Sequence, residues 1–240
     1  MESNNVNRRT FISAVTATSL GAVLSGSISA GAAIQKQEHG KLAILGGTPI
    51  RPKGKIGPAW PHVDEKMVES VVKTTKSGIW SRIQSPNGNV PVFEKEFAKI
   101  IGAAHSVGTG SGTQALSTCV EALGIGAGDE VITSPYTDFG TISAILTSRA
   151  LPVMVDLDPD SYQMDPDAVE KAITKNTKAI MPVHIMGVPA NMERIMAIAK
   201  KHNLKVIEDS CQAPFARYQG KAIGLIGDLG CFSFQASKAI

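Results

Sequence analysis

The sequence has too little of several things to support whole classes of function. Aromatic residues make up 5% of its 240 positions, too few for the stacking platforms that single-stranded nucleic acids need. The formal net charge is only +3, and apart from Arg8-Arg9 and the mild cluster Lys200, Lys201 and Lys205 the basic residues are scattered among acidic ones. No basic stripe therefore marks a nucleic-acid partner. Three cysteines, Cys119, Cys211 and Cys231, are too few and too odd in number for a disulfide framework, and their apolar or motif-bearing surroundings make them buried thiols. No apolar run reaches the roughly 20 residues a bilayer-spanning helix needs. What is present is 43% hydrophobic residues, enough for a full core in one large domain or two small ones.

The first thirty-odd residues differ from the rest. Asn7-Arg8-Arg9-Thr10-Phe11-Ile12 precedes a mild apolar stretch from Ala14 to Leu24, interrupted by Ser and Thr, and then small residues ending in Ala30-Gly31-Ala32. A basic start, a short apolar segment and an Ala-x-Ala-like site read as a twin-arginine-type signal peptide over residues 1–32. The expected location is outside the cytoplasm, with a cytoplasmic protein as the alternative. Thiols behind such a signal are consistent with a route that carries proteins already folded. Residues 33–61, rich in Gly, Pro and Lys without a sustained period, read as an N-terminal arm.

From Val63 onward the hydrophobic period becomes regular. Met67, Val68, Val71 and Val72 share one helical face ended by Gly78, and Phe93, Phe97 and Ile100-Ile101 share another ended by Gly102. Short apolar runs then recur at Glu130–Thr133, Leu151–Val155, Ala179–Val183 and Lys205–Ile207, spaced roughly every 25 residues as βαβ crossovers require. Helical patterns lie between them at Ile142–Leu146, Asp165–Ile173 and Met192–His202. The expected fold class is α/β, with a mainly parallel sheet, helices on both faces and functional groups at the carboxyl ends of the strands.

Three segments carry chemistry. Gly108-Thr109-Gly110-Ser111-Gly112-Thr113-Gln114 is a glycine-rich turn running into a helix, so its backbone N–H groups and the helix dipole favour a phosphate. The same turn also reads as an ordinary helix cap. It lacks the Lys-Ser/Thr of a P-loop and the third glycine of the dinucleotide fingerprint. The apolar run Val206-Ile207 delivers Glu208 and Asp209 to opposite sides of a strand end. A buried carboxylate there needs a cation or several donors, whereas an exposed one simply caps the next helix. Gly227–Lys238 is a strand-like run ending in hydroxyls and one lysine, either a surface lysine or an amine nucleophile toward an aldehyde. No metal site is expected.

Taken in order, these segments resemble the DegT/DnrJ/EryC1/StrS family of sugar aminotransferases, from about Leu42 to the last residue. The resemblance rests on Leu42-Ala43-Ile44-Leu45-Gly46-Gly47-Thr48-Pro49, Ser111–Leu116, Leu123–Ile132, Ile207-Glu208-Asp209 with Gln212-Ala213, and Phe232-Ser233-Phe234 ahead of Lys238. It implies the three-layer large domain of type I aminotransferases dependent on pyridoxal 5'-phosphate (PLP), truncated here to residues 62–240 and without the C-terminal small domain. It implies that Lys238 is catalytic and holds PLP covalently, that Asp209 keeps the pyridine nitrogen protonated and that Gln212 lies near the ring or its 3-hydroxyl. Gly112, Thr113, Gln114 and Ser233 would bind the phosphate. The implied reaction moves an amino group from glutamate or glutamine to a keto-sugar or keto-cyclitol, in a homodimer when the chain is full length, and the fragment alone is expected to be inactive. An inactive, exported PLP- or sugar-binding protein is the alternative. One departure stands out. Where many relatives place an aromatic residue that stacks on the ring, the register gives Asp138, with Tyr136 and Phe139 nearby, and the stacking role stays unassigned.

Overall fold

A computed structural model describes residues 42–50 and 62–238; residues 1–41, with the whole signal-like segment, and most of the arm lie outside them. Contacts divide the chain at Pro58/Ala59. In the first unit, Ala43–Leu45 forms one 3-10 turn closed by Gly46 at φ 92°, a left-handed conformation that glycine adopts without steric cost.

The second unit begins with two helices, α1 (Glu65–Ser77) and α2 (Asn89–Ile101). Asp64 caps α1 by accepting from the Met67 N–H at 2.8 Å, which satisfies one of the orphan donors at a helix start. The expected apolar face of α1 forms, yet Met67, Val68, Val71 and Val72 remain exposed among the described residues. On α2, Phe97, Ala98 and Ile101 are buried.

The remaining elements alternate: α3 (Gly112–Ala122), β1 (Glu130–Thr133), α4 (Phe139–Thr147), β2 (Leu151–Met154), α5 (Pro166–Ala172), β3 (Thr177–Ile180), α6 (Met192–His202) and β4 (Lys205–Asp209). The two-stranded antiparallel hairpin of β5 (Arg217–Tyr218) and β6 (Lys221–Ala222) and the strand β7 (Leu229–Cys231) follow. The main sheet has the order β2-β1-β3-β4-β7, and every neighbouring pair in it is parallel.

The three layers follow from the period of two along each strand. Ile132, Ile180 and Val206 turn toward Val169 on α5 and Met192, Ile195 and Ile198 on α6. Val131, Ala179 and Ile207, their sequence neighbours, turn the other way onto Leu116 and Val120 of α3 and Ala144 and Ile145 of α4.

Two sequence expectations are adjusted. The run at Leu151 is an edge strand, with Leu151 and Met154 about half exposed, because only β1 pairs with it. The third strand is Thr177–Ile180, earlier than the apolar run from Ala179 to Val183 suggested. Pro182 has no N–H to give a ladder, and pairing beyond it survives as a single bridge between Val183 and Asp209.

Candidate functional site

The carboxyl ends of β4 and β7 lie side by side, with Asp209 paired to Cys231. Alternation puts Asp209 on the same face as Ile207, toward α3 and α4, and Glu208 on the opposite face with Val206. The two acids then meet different fates.

Glu208 is completely buried. Its Oε1 accepts from the N–H groups of Ile226 and Gly227 at 2.6 and 2.7 Å, and its Oε2 from the Gly224 N–H at 2.9 Å. His184, equally buried, lies with Nε2 3.1 Å from Oε2. The His184 Nδ1 accepts from the Ala190 N–H at 3.1 Å, so the ring proton sits on Nε2 and is donated to Glu208. Burial pushes the Glu208 carboxyl up, but the bonds from His184, Gly227 and Gly224 together outweigh it and hold it below the usual carboxylate range. Glu208 is thus a clamp for the loop that leads into β7.

Asp209, 3% exposed, is less fully bonded. Its Oδ1 accepts from the Cys211 N–H at 3.1 Å and its Oδ2 from the Thr141 hydroxyl at 2.7 Å. The Cys211 thiol stands beside it, and burial followed by the Asp209 charge pushes that thiol far up, so it stays neutral. Asp209 lines a cleft of about 1490 Å³ together with Gly112, Thr113, Gln212, Ser233 and Lys238. The structure therefore gathers most of the expected site residues, drawn from the start of α3 and the ends of β4 and β7, into one concavity.

At the glycine turn, donors are divided between structure and cleft. The Gly108 N–H goes to Glu94 Oε1 at 2.6 Å and the Gly110 N–H to Gln114 Oε1 at 2.7 Å. The Gln114 N–H goes to the Ser111 hydroxyl at 3.1 Å, so in this structure Gln114 serves the turn and the cap. The N–H groups of Gly112 and Thr113, in the first turn of α3, have no intrahelical acceptor. A Cβ on Gly112 would stand 2.9 Å from Cys211 Sγ and 3.1 Å from Ser233 Cβ, so only glycine lets the helix start approach the segment after β7 this closely. The Ser233 hydroxyl is brought to the same place. Two unclaimed amides at a positive helix end, a hydroxyl and room in the cleft suit a phosphate, while the buried carboxyl of Asp209 in the same cleft suits a cationic ring nitrogen.

The remaining residues complete the picture. The Gln212 side-chain carbonyl accepts from the Met186 N–H at 3.1 Å, which leaves its NH₂ as the end available to the cleft. Lys238 sits in a turn closed by its own N–H to the Gln235 carbonyl at 2.9 Å. Edge-to-face contacts from Phe93 and Phe97 of α2 to Phe232 and Phe234 hold the segment that leads to it. Among the described residues no group of three or more His, Cys, Asp or Glu could hold a metal ion.

At the unassigned position, Asp138 is the N-cap of α4, accepting from the Gly140 N–H at 2.8 Å. Phe139 is 75% exposed and Tyr136 43%, and neither lines the cleft. The wall at this point is Asp138, Gly140 and Thr141, without an aromatic ring. Sequence reasoning passed over Thr141, although an Asx cap three residues earlier placed it in the first turn of a helix.

Residues 61–240 match the DegT/DnrJ/EryC1/StrS aminotransferase family. Among curated relatives, the L-glutamine:2-deoxy-scyllo-inosose aminotransferase of Streptomyces kanamyceticus is 39% identical over 207 residues, 85% of this chain and 48% of that protein. The UDP-N-acetyl-3-dehydro-alpha-D-glucosamine 3-aminotransferase of Acidithiobacillus ferrooxidans is 51% identical over 146 residues, 61% of this chain and 40% of that one. The solved PLP form of a Streptococcus pneumoniae protein described as a sugar aminotransferase superposes with TM-score 0.70 at 31% identity, covering 76% of this chain and 50% of that chain. The chain spans about half the length of the curated relatives it matches.

Proposed function

Because the chain belongs to the DegT/DnrJ/EryC1/StrS aminotransferase family, we propose that it carries the cofactor-binding part of a PLP-dependent enzyme moving an amino group from glutamine or glutamate to a keto-sugar or keto-cyclitol. The observation that carries this reading is the buried Asp209 opening onto the cleft that also holds the α3 N-terminus, Ser233 and Lys238. The cyclitol and amino-sugar activities in the names of its relatives support the acceptor class, and L-glutamine in the cyclitol relative's name supports the donor.

When bound, PLP supplies an electron sink for the negative charge that develops at the carbon bearing the donor's amino group. The residues of this chain do the rest. The Gly112 and Thr113 amides and the Ser233 hydroxyl would hold the phosphate. Asp209 would keep a proton on the ring nitrogen by charge and hydrogen bond in a site poor in water. The Gln212 NH₂ would face the ring's hydroxyl. Lys238 would hold the cofactor and would carry a proton from and to the donor's α-carbon as general base and acid. A homodimer that completes the site, and export by the twin-arginine route with cleavage near Ala33, belong to the same proposal and rest on the family resemblance and on Arg8-Arg9 with Ala30-Gly31-Ala32.

The test is chemical trapping. Borohydride treatment of the PLP-loaded full-length protein should leave a reduced adduct on the peptide bearing Lys238 and on no other, and Lys238→Ala should abolish it without unfolding the protein. An adduct on another lysine, or none, would sink the assignment. Bleaching of the cofactor's visible band by L-glutamine or by L-glutamate would then identify the donor.

A further inference from the structure

Beyond the residues that the reaction itself calls for, a short chain of hydroxyls ends on Asp209. Thr141, 1% exposed on α4, places its Oγ1 2.7 Å from Asp209 Oδ2 and 2.7 Å from the Thr137 Oγ1. A carboxylate only accepts, so the single Thr141 hydroxyl proton goes to Asp209 and Thr137 donates to Thr141. The direction of the whole chain is thereby set. Asp138 aligns it from below, since its cap on the Gly140 N–H fixes where the first turn of α4 begins.

We propose that Thr141 is a positioning residue, whose hydroxyl, itself oriented by Thr137, fixes the Asp209 carboxylate in the rotamer that faces the ring nitrogen of the bound cofactor. This rests on the function proposed above. The reason is the asymmetry of the Asp209 environment. Its Oδ1 is held by the backbone at Cys211, which follows the strand and cannot be lost without disrupting it. Its Oδ2 is held by Thr141 from another element, α4. Removing that donor frees the carboxylate to rotate away from the ring nitrogen, which weakens the hydrogen bond that keeps that atom protonated. The Cys211 thiol beside Asp209 is neutral and does not replace that hydroxyl.

The experiment uses the full-length protein loaded with PLP labelled at the ring nitrogen. Nitrogen NMR reads whether that atom carries a proton, independently of turnover. In Thr141→Val, an isosteric change that deletes only the hydroxyl, the resonance should move toward the neutral-pyridine position. The maximal rate of the half-reaction with L-glutamine should fall about tenfold, as expected for one lost hydrogen bond to a charged group, with the half-saturating glutamine concentration unchanged. Thr141→Ser should restore both readings. Should Thr141→Val fail to fold, Thr137→Val, which leaves the buried side chain in place and removes only its donor, should shift the resonance part of the way. A wild-type resonance in whichever of the two valine variants folds overturns the inference. Absence of cofactor from Lys238 in the unmodified protein would instead overturn the function it rests on, so the two failures are distinguishable.

Discussion

Glu208 and Asp209 are neighbours on one strand, both buried, yet they are built for opposite purposes. Glu208 receives four hydrogen bonds from three backbone amides and His184, which uses its acceptor capacity to tie the Gly224–Gly227 loop to the sheet. Asp209 receives two, one on each oxygen, keeps acceptor capacity to spare and lines the cleft. Burying a carboxylate costs several kcal/mol unless partners offset it. A saturated acid is therefore stable alone and does structural work, whereas one left short of donors is waiting for a ligand. Strand alternation assigns the two roles by face, one against α5 and α6, the other against α3 and α4.

The largest effect should come from breaking the saturated side. Glu208→Ala leaves the Gly224, Ile226 and Gly227 amides and His184 Nε2 without an acceptor in a dry interior, at a cost of about 3–5 kcal/mol by analogy with severed buried pairs. Urea unfolding would measure it, and a loss below about 1 kcal/mol would mean that water takes over the clamp. The clamp also has a pH signature. The folded Glu208 carboxyl lies below its ordinary value, so its contribution is fully present above the unfolded-state value near 4.3 and is lost as pH falls through the lower, folded one. Between neutral pH and about pH 3, stability of the wild type should therefore fall more steeply than that of Glu208→Gln.

The next effect, on the other acid, should fall on chemistry and not on folding. Asp209→Asn should unfold close to the wild-type urea concentration and retain part of its PLP. Its half-reaction with L-glutamine should slow by about two orders of magnitude or more, the scale for removing one electrostatic partner of the reacting group. A variant as unstable as Glu208→Ala, or one with wild-type rates, would erase the distinction between the acids.

Much of this arrangement was legible in the sequence, and the parts that were not share a cause. Helix α6 ran from Met192 to His202 as read, because Asn191 caps its start and Asn203 takes the left-handed conformation at its end. The glycine turn before α3 and the acid at the end of β4 were likewise local patterns. The role of Glu208 was not local, since its backbone partners lie 16, 18 and 19 residues downstream. Nor was the edge position of β2, which depends on the strand order of the whole sheet. Thr141 lies 68 residues from Asp209, so no spacing rule joins them. The clustering of Phe93 and Phe97 with Phe232 and Phe234 is equally long-range, and it explains why aromatic residues sit just ahead of Lys238.

The smallest expected effect concerns Asp138, at the position for which the ring-stacking role stayed unassigned. Its carboxylate accepts from the Gly140 N–H at 2.8 Å, and Asn and Asp are comparable caps. Asp138→Asn should therefore leave stability within about 0.5 kcal/mol of the wild type. Asp138→Ala removes the cap and should cost about 1 kcal/mol in urea unfolding. Because the start of α4 also carries Thr141, the alanine variant should in addition bind PLP a few fold more weakly, an effect the asparagine variant should lack. Asp138→Phe separates the two readings of the position. If it is a cap, phenylalanine behaves like alanine in both assays, since the lost hydrogen bond is not replaced. Tighter PLP binding by Asp138→Phe than by the wild type would mean that the wall formed by Asp138 and Gly140 lies where a ring could stack, and that the short side chain here serves the acceptor and not the helix.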